Sequence, residues 1–416
     1  MSPKKNLPLG PGGPRVTRKQ FLENVFLKAP LCAWWFSDLL TLSPQADGAY
    51  KSLNGGCLIA NHHEFLFTDQ LFWEQLAYYG IMGAKVIRAM ATDANHLIPG
   101  RQWSGAEVGA RIVQIAPALR MCGIKLMLAF TNNHCPVPGD AKYAGNRAQV
   151  GDPSRTYYEI LEPWFEGGFR ENYLPFVKDV ITTVQRFGAQ DVIFAWEPGN
   201  ELHTPLNPEK LLSFYRETIA FIRNLDPETM IASGTMGVNH IDPGHPWSPV
   251  AQEVYRLEGF DIITLHTYDL ILDWDSSTGN YDRAVSAGDM PIDWDFQLIK
   301  TMNLAKPVVI EEIGTSRILP TRWHSPDEVQ RLVHEARVID YTLRHGALGW
   351  GPWSLTTQGE GIGDGWRGPC SYPGTSLFET GGEPTDSARA RIEECYRDLP
   401  RTALATLREK FPHLRV

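Results

Sequence analysis

Cysteine is scarce. The chain has six in 416 residues (Cys32, Cys57, Cys122, Cys135, Cys370 and Cys395), and no two form a C-x-x-C pair. That spacing argues against a zinc knuckle or a thioredoxin-type motif. Cys57 in a predicted strand and Cys122 at a predicted helix end read as small buried hydrophobes. Basic charge is also in short supply. Lys and Arg number 39 against 48 Asp and Glu, for a net charge of -9. An acidic balance argues against nucleic acid or an anionic membrane as the main partner. Long apolar runs are missing too. The stretch 21–40 is rather apolar, but Glu23, Lys28 and Asp38 interrupt it, and it is too polar to span a membrane. Residues 1–18 lack an apolar h-region, so no signal peptide is expected there, and the chain as encoded is expected in the cytoplasm. Finally, no Gly-rich phosphate loop joins an early strand to a helix. The run Gly359-Glu360-Gly361-Ile362-Gly363-Asp364-Gly365 lies near the C-terminal end, not in the first βα unit that a dinucleotide fingerprint requires.

Hydrophobic residues make up 43% and charged residues 21%, the composition of an ordinary globular protein with a large core. Thirteen Trp and fourteen Tyr supply flat faces of the kind that suit sugars, although most are expected in the core. Eight apolar runs of strand length are legible: 55–61, 84–90, 124–130, a fourth from 192, then 230–234, 260–266, 307–312 and 347–355. Helical patterns separate most of them, at 68–79, 106–121, 154–187 with a break near Gly167-Gly168, 208–225, 293–302 and 325–345. Asn207 is the expected N-cap of the helix that opens with Pro208. Alternation of this kind implies parallel βαβ units, and eight of them imply an α/β fold of the (β/α)8 TIM-barrel type. The expected organisation is a flexible arm at 1–16 and one catalytic domain at 17–416. That domain carries an N-terminal helical extension at 17–42, long βα loops and a closing helix at 386–410. A doubly wound open sheet is the alternative fold.

Two strand ends share a grammar. Val192-Ile193-Phe194-Ala195-Trp196-Glu197 runs into Pro198-Gly199-Asn200-Glu201, and Lys306-Pro307-Val308-Val309-Ile310 runs into Glu311-Glu312-Ile313-Gly314. In a barrel, the C-terminal strand ends carry the chemistry. Glu201 after the fourth strand and Glu312 at the end of the seventh can therefore face one another across the axis. Two carboxyl groups so placed are what glycosidic bond cleavage needs: one attacks the anomeric carbon, the other protonates the departing oxygen. Neighbouring residues on a strand point to opposite faces, so only one of Glu311 and Glu312 is expected in such a site.

With these residues in view, the chain resembles the retaining glycoside hydrolases of the (β/α)8 clan with catalytic Glu on strands four and seven, most like family 5. Asn200-Glu201, preceded by Ala195-Trp196-Glu197, is similar to the acid/base motif of the β-mannanases of that family. Glu312-Ile313-Gly314 is similar to the nucleophile motif, with Ile in place of its aromatic residue, and Leu202 stands where a Pro is usual. The resemblance implies that Glu201 is the acid/base and Glu312 the nucleophile. It implies that Arg88 bonds near the nucleophile, that Asn200 meets the sugar 2-hydroxyl, and that His266 and Tyr268 form the His-x-Tyr of strand six. It makes Trp350 the aromatic floor, with Trp353 competing for that role. Asn132 at the end of the third strand is a further candidate to line the site. The expected substrate is a polysaccharide or oligosaccharide, β-mannan, β-glucan or a bacterial capsule, which would suit an extracellular setting. No cofactor or metal and a monomer are expected. Two other functions stand beside this one: a non-catalytic carbohydrate-binding barrel, and a metal-dependent barrel hydrolase using His62, His63, His134 and His266.

Overall fold

The structure, a computed structural model, describes residues 57–62, 84–91, 103–132, 162–204, 207–242, 248–267, 270–275, 280–286, 292–313 and 341–352, with isolated positions at 65, 66, 76, 79, 338 and 339. The arm at 1–16, the helix at 17–42, the insertion at 135–152, the Gly-rich loop and the closing helix lie outside the described residues.

Short apolar strands sort their side chains by alternation, and here the sorting builds a barrel. The strands are β1 (Cys57–Asn61), β2 (Val86–Met90), β3 (Lys125–Ala129), β4 (Ile193–Glu197), β5 (Met230–Ile231), β6 (Ile263–Thr267), β7 (Leu270–Asp275), β8 (Asn280–Ser286), β9 (Val308–Ile313) and β10 (Ala347–Pro352). Eight of them form one sheet in the order β5-β4-β3-β2-β1-β10-β9-β6, every pair parallel. The ends of that order meet. Ala232 and Ile262 form a parallel bridge, and Ser233 N donates to Ile262 O at 3.0 Å. The sheet is therefore a closed (β/α)8 barrel, with no edge left for another strand to join.

Inside the barrel, Ile59, Val86, Met127, Phe194, Met230, Ala232, Ile262 and Val309 form one hydrophobic cluster. Outside it, alternate residues such as Leu58, Ile87, Leu126, Trp196, Leu265 and Ile310 join a second cluster with the helices. Each side chain of this size stabilises by about 1.5–3 kcal/mol on full burial. Filling the interior with apolar residues toward the strand starts leaves the C-terminal ends to polar ones. On β2 the inward positions after Val86 begin with Arg88. On β6 the position two after Thr264 is His266.

The described helices are α1 (Gly105–Cys122), α2 (Phe169–Arg186), α3 (Pro208–Leu225), α4 (Val238–Ile241), α5 (Pro249–Arg256) and α6 (Ile292–Thr301). Helix α1 begins with a capping box: Glu107 N donates to Ser104 Oγ at 3.2 Å, and Ser104 N to Glu107 Oε2 at 2.9 Å. Such a cap contributes roughly 1 kcal/mol. It packs closely on α2, since a methyl at Gly105 would stand 2.2 Å from Phe176 O. The break expected near Gly167-Gly168 is a π-helical turn, Trp164–Gly168, with Gly167 at φ 152°. Asn207 does sit at the N-cap of α3, but its side chain makes no capping hydrogen bond. Two departures concern the loops. The polar segment after β6 contains an antiparallel hairpin of β7 and β8, which sequence pattern did not reveal. Helices α4 and α5, which sequence periodicity did not reveal, fill the crossover between β5 and β6.

Candidate active site

Arg88 stands at the centre of the C-terminal mouth, 1% exposed. Its Nε and Nη2 donate to Glu197 Oε2 and Oε1 at 3.0 and 2.7 Å, a two-point fork. Nη2 also donates to Asn200 Oδ1 at 2.6 Å, and Nη1 to Glu312 Oε1 at 2.6 Å. Glu311 Oε1 lies 3.0 Å from the same Nε as an ion pair. Only a guanidinium offers enough fixed donors to meet these acceptors at once. His266 is the second hub. Its Nδ1 faces Glu201 Oε1 at 2.7 Å and Glu312 Oε2 at 3.5 Å, and its Nε2 faces Glu311 Oε2 at 3.2 Å.

Four carboxyls thus surround two cations in a water-poor space. Their protonation follows from that crowding. Burial, with repulsion from Glu311, pushes the Glu197 carboxyl up to about 8 against the pull of Arg88. Burial alone would raise Glu311 as well, but the charge of Arg88 and the hydrogen bond from His266 outweigh it and hold Glu311 below the usual carboxylate range. For His266, burial lowers the pKa; Glu312, then the hydrogen bonds to Glu201 and Glu311, overcome it and bring the imidazole to about 10. Arg88 remains charged, since the same carboxylates outweigh its loss of solvation.

Local backbone explains how two adjacent glutamates enter the site. Val309 faces the barrel interior, so alternation alone turns Glu311 inward and Glu312 outward. The register breaks there. Leu265 pairs with Ile310, but His266 pairs with Glu312, and on the other side Trp350 pairs with Ile310 while Pro352 pairs with Ile313. An extra residue is inserted on β9, a bulge that re-aims a side chain. The expectation that only one of the pair faces the site is therefore corrected: both do. Glu201 is held by another irregularity. Its φ is 53°, a left-handed conformation that costs about 1–2 kcal/mol for a residue with a Cβ. The surroundings enforce it: Glu201 N donates to Gly234 O at 2.9 Å, and His203 Nδ1 lies 3.0 Å from Glu201 O. Gly234 has φ +65°, and a methyl there would stand 2.1 Å from Gly199 O and 2.8 Å from Glu197 Cγ.

The structure brings Glu201, Glu312, Arg88, Asn200, His266 and Asn132 together. One oxygen of Glu201, one of Glu312 and one ring nitrogen of His266 all lie within 4.8 Å of one another. Asn132 sits behind Asn200, accepting from its Nδ2 at 3.1 Å and donating to Met90 Sδ at 2.9 Å. Trp350 is buried in the larger hydrophobic cluster. Tyr268 and Trp353 lie outside the described residues. Sequence reasoning gives Glu197 no task; its alternation with inward Ala195 is the signal that could have found it. Asn61 is a second residue it misses. Asn61 ends β1 and its Nδ2 donates to Glu311 O at 2.7 Å. His62, a proposed metal ligand, is buried and its Nδ1 is engaged by Tyr79 Oη at 2.7 Å. His63 and His134 lie outside the described residues. The trio of Glu201, His266 and Glu312 is compact enough for a cation, but both nitrogens of His266 face carboxylates, so an ion would have to displace a proton.

No family model matches the chain. Mannan endo-1,4-beta-mannosidase 5 of Solanum lycopersicum is 22% identical over 252 residues, 54% of this chain and 60% of that protein. The chain thus spans about 60% of the length of that curated relative. Among solved structures, the endo-beta-1,4-mannanase of Thermotoga petrophila superposes with a TM-score of 0.54 at 19% identity, over 83% of this chain and 78% of the other. A family 5 glycoside hydrolase, a mannosidase from Rhizomucor miehei, gives a TM-score of 0.54 at 15% identity over 86% and 98%. Fold and mouth together define a (β/α)8 barrel with paired carboxyls on its fourth strand's loop and its seventh strand. The curated relatives it matches are mannan endo-1,4-beta-mannosidases, at 22–26% identity.

Proposed function

We propose that this chain is a retaining glycoside hydrolase that cleaves β-glycosidic bonds in a polysaccharide, with Glu312 as nucleophile and Glu201 as acid/base. The substrate proposed first is a β-1,4-mannan, the polymer in the names of its relatives. The observation that carries the reading is the approach of Glu201 and Glu312 oxygens within 4.8 Å. Retaining enzymes hold their two carboxyls about 5 Å apart, and inverting enzymes leave room for a water.

The chemistry then runs in two displacements. Glu312, aimed by Arg88 Nη1, attacks the anomeric carbon while Glu201 gives a proton to the departing oxygen. Water, its proton taken by Glu201, then attacks the same carbon and the bond to Glu312 breaks. Asn200 spends Oδ1 on Arg88 and one N–H on Asn132. An amide nitrogen carries two hydrogens, so the second N–H serves the sugar 2-hydroxyl. Asn132 then braces Asn200 instead of touching sugar. Tyr268 against the nucleophile completes the proposed set; Trp350, paired with the outward-facing Leu58 and Ile310, packs in the cluster between barrel and helices and is left out of it.

The test is a panel of β-mannan, β-glucan and capsular polysaccharides, with products followed by proton NMR. Retained anomeric configuration is expected, and an initially inverted product would rule out Glu312 as nucleophile. Glu201→Gln and Glu312→Gln are each expected to lower turnover by orders of magnitude with the fold intact; near-normal activity in either removes that residue from its role. Loss of wild-type hydrolysis on chelation would favour the metallohydrolase reading, and binding without hydrolysis the carbohydrate-binding barrel.

A further inference from the structure

The two-carboxyl scheme leaves Glu311 without a task. It is fully buried and sits on the bulge that admits Glu312. One oxygen lies 3.2 Å from His266 Nε2 and the other 3.0 Å from Arg88 Nε. His266 in turn reaches Glu201 at 2.7 Å and Glu312 at 3.5 Å through Nδ1. The titratable and charged groups facing the imidazole are therefore Glu201 from the loop after β4 and Glu311 and Glu312 from β9. Arg88 of β2 and Glu197 of β4 stand behind them.

Carboxylates accept hydrogen bonds and do not donate them. An imidazole with a carboxyl at each nitrogen therefore keeps its Nε2 proton toward Glu311 and shares a second proton between Nδ1 and Glu201 Oε1. With that proton on nitrogen, Glu201 is an anion; with it on oxygen, the imidazole is neutral. An anion at the far nitrogen favours the imidazolium. Resting on the glycosidase reading above, we propose that Glu311 is a positioning residue. Through His266 it fixes the imidazole toward Glu201 and holds the shared proton that Glu201 delivers to the departing oxygen. The proton leaves the His266–Glu201 pair as the glycosidic C–O bond breaks and the bond to Glu312 forms. It returns from water when that bond is hydrolysed.

The experiment uses Glu311→Gln in the full chain, with aryl β-glycosides of the sugar the enzyme accepts. Dinitrophenolate departs without a proton; phenolate needs one. Removing the Glu311 charge makes the shared proton easier to lose. The alkaline limb of the phenyl glycoside's kcat/KM is therefore expected to move to lower pH by about one unit or more. Above the new limb the phenyl glycoside should lose about tenfold or more in rate. The dinitrophenyl glycoside should hold within about twofold, since general acid catalysis is not called on there. Equal losses on both substrates with an unmoved limb would overturn the proposal and leave Glu311 a structural residue. If thermal melts show that Glu311→Gln does not fold, Glu311→Asp keeps the charge beside Arg88 while withdrawing it from Nε2. A smaller shift of the limb in the same direction is expected, and an unmoved limb overturns the proposal. Glu201→Gln, run in parallel, separates the two levels. If it spares phenyl glycoside turnover, the glycosidase assignment fails. If it abolishes that turnover while the Glu311 variants leave the limb in place, this inference alone fails.

Discussion

Replacing Arg88 with Met tests the whole cluster at once. The side chain is 1% exposed, and its nitrogens lie within 3.0 Å of carboxyl oxygens on Glu197, Glu311 and Glu312. Met fills most of the volume but leaves those groups without their main cation. Removing one partner of a buried ion pair costs about 3–5 kcal/mol, against a total stability of about 5–15 kcal/mol. The sign with pH is definite. Arg88 lowers the proton affinity of Glu197 and Glu311, so its loss raises their folded-state pKa values above the unfolded value. An acid raised in this way destabilises the fold only above its unfolded pKa, near 4.3, and the penalty is full once pH passes the folded pKa. The Arg88→Met deficit should therefore be largest near pH 8.5, where even wild-type Glu197, at about 8, has mostly ionised. It should shrink toward pH 5, where the orphaned carboxyls take up protons. Urea unfolding of both proteins at the two pH values measures it. A deficit below about 1 kcal/mol at the higher pH, or one that grows as pH falls, would refute this account of the cluster.

Three further outcomes are expected besides those given for Glu311. Gly234→Ala should cost about 2 kcal/mol or more by thermal denaturation, because its φ of +65° and the 2.1 Å approach to Gly199 O leave a Cβ no place. The same change should depress hydrolysis more than stability predicts, since Gly234 O holds Glu201 N. Asp295, partly exposed but with Oδ1 accepting from Val238 N at 2.7 Å and Tyr255 Oη at 3.1 Å, is pushed by burial up to about 6. As an acid with a raised pKa it costs the fold stability as pH climbs from 4 to 6. Asp295→Asn should therefore gain on wild type by about 1–2 kcal/mol between pH 4 and pH 7, less than the full shift implies because of its exposure. Calorimetry at those pH values decides; no relative gain, or a relative loss, refutes it. Glu197→Gln, which replaces the carboxyl forked on Arg88 by a neutral group of the same shape, should change kcat more than KM on mannan; a pure KM effect would place Glu197 outside the cluster's chemistry.

Much of the site is legible in the order of the residues alone. Strand length and apolar composition mark β1, β2, β3, β4, β6, β9 and β10, and the polar residue following each run points to the mouth of a barrel. Arg88 inside an apolar strand is the clearest single signal, because a cation in that setting needs buried partners. Loops are harder. The β7–β8 hairpin carries Asp273, Asp275 and Asp282, and a run so rich in acid reads as solvated loop unless cross-strand pairing is known. Helices α4 and α5 are too short for a 3.6-residue period to stand out.

The residues themselves determined the barrel and its polar rim: alternation and strand length are local properties, so they survive in the order of the amino acids. Which groups meet there was decided only in three dimensions. A one-residue bulge on β9 turns Glu312 inward beside Glu311. A left-handed backbone at Glu201 brings its oxygen to His266. Both are departures from regular geometry, imposed by neighbours remote in the chain. A single guanidinium then gathers carboxyls from two further strands, and the charges that result exist only because burial forces them together.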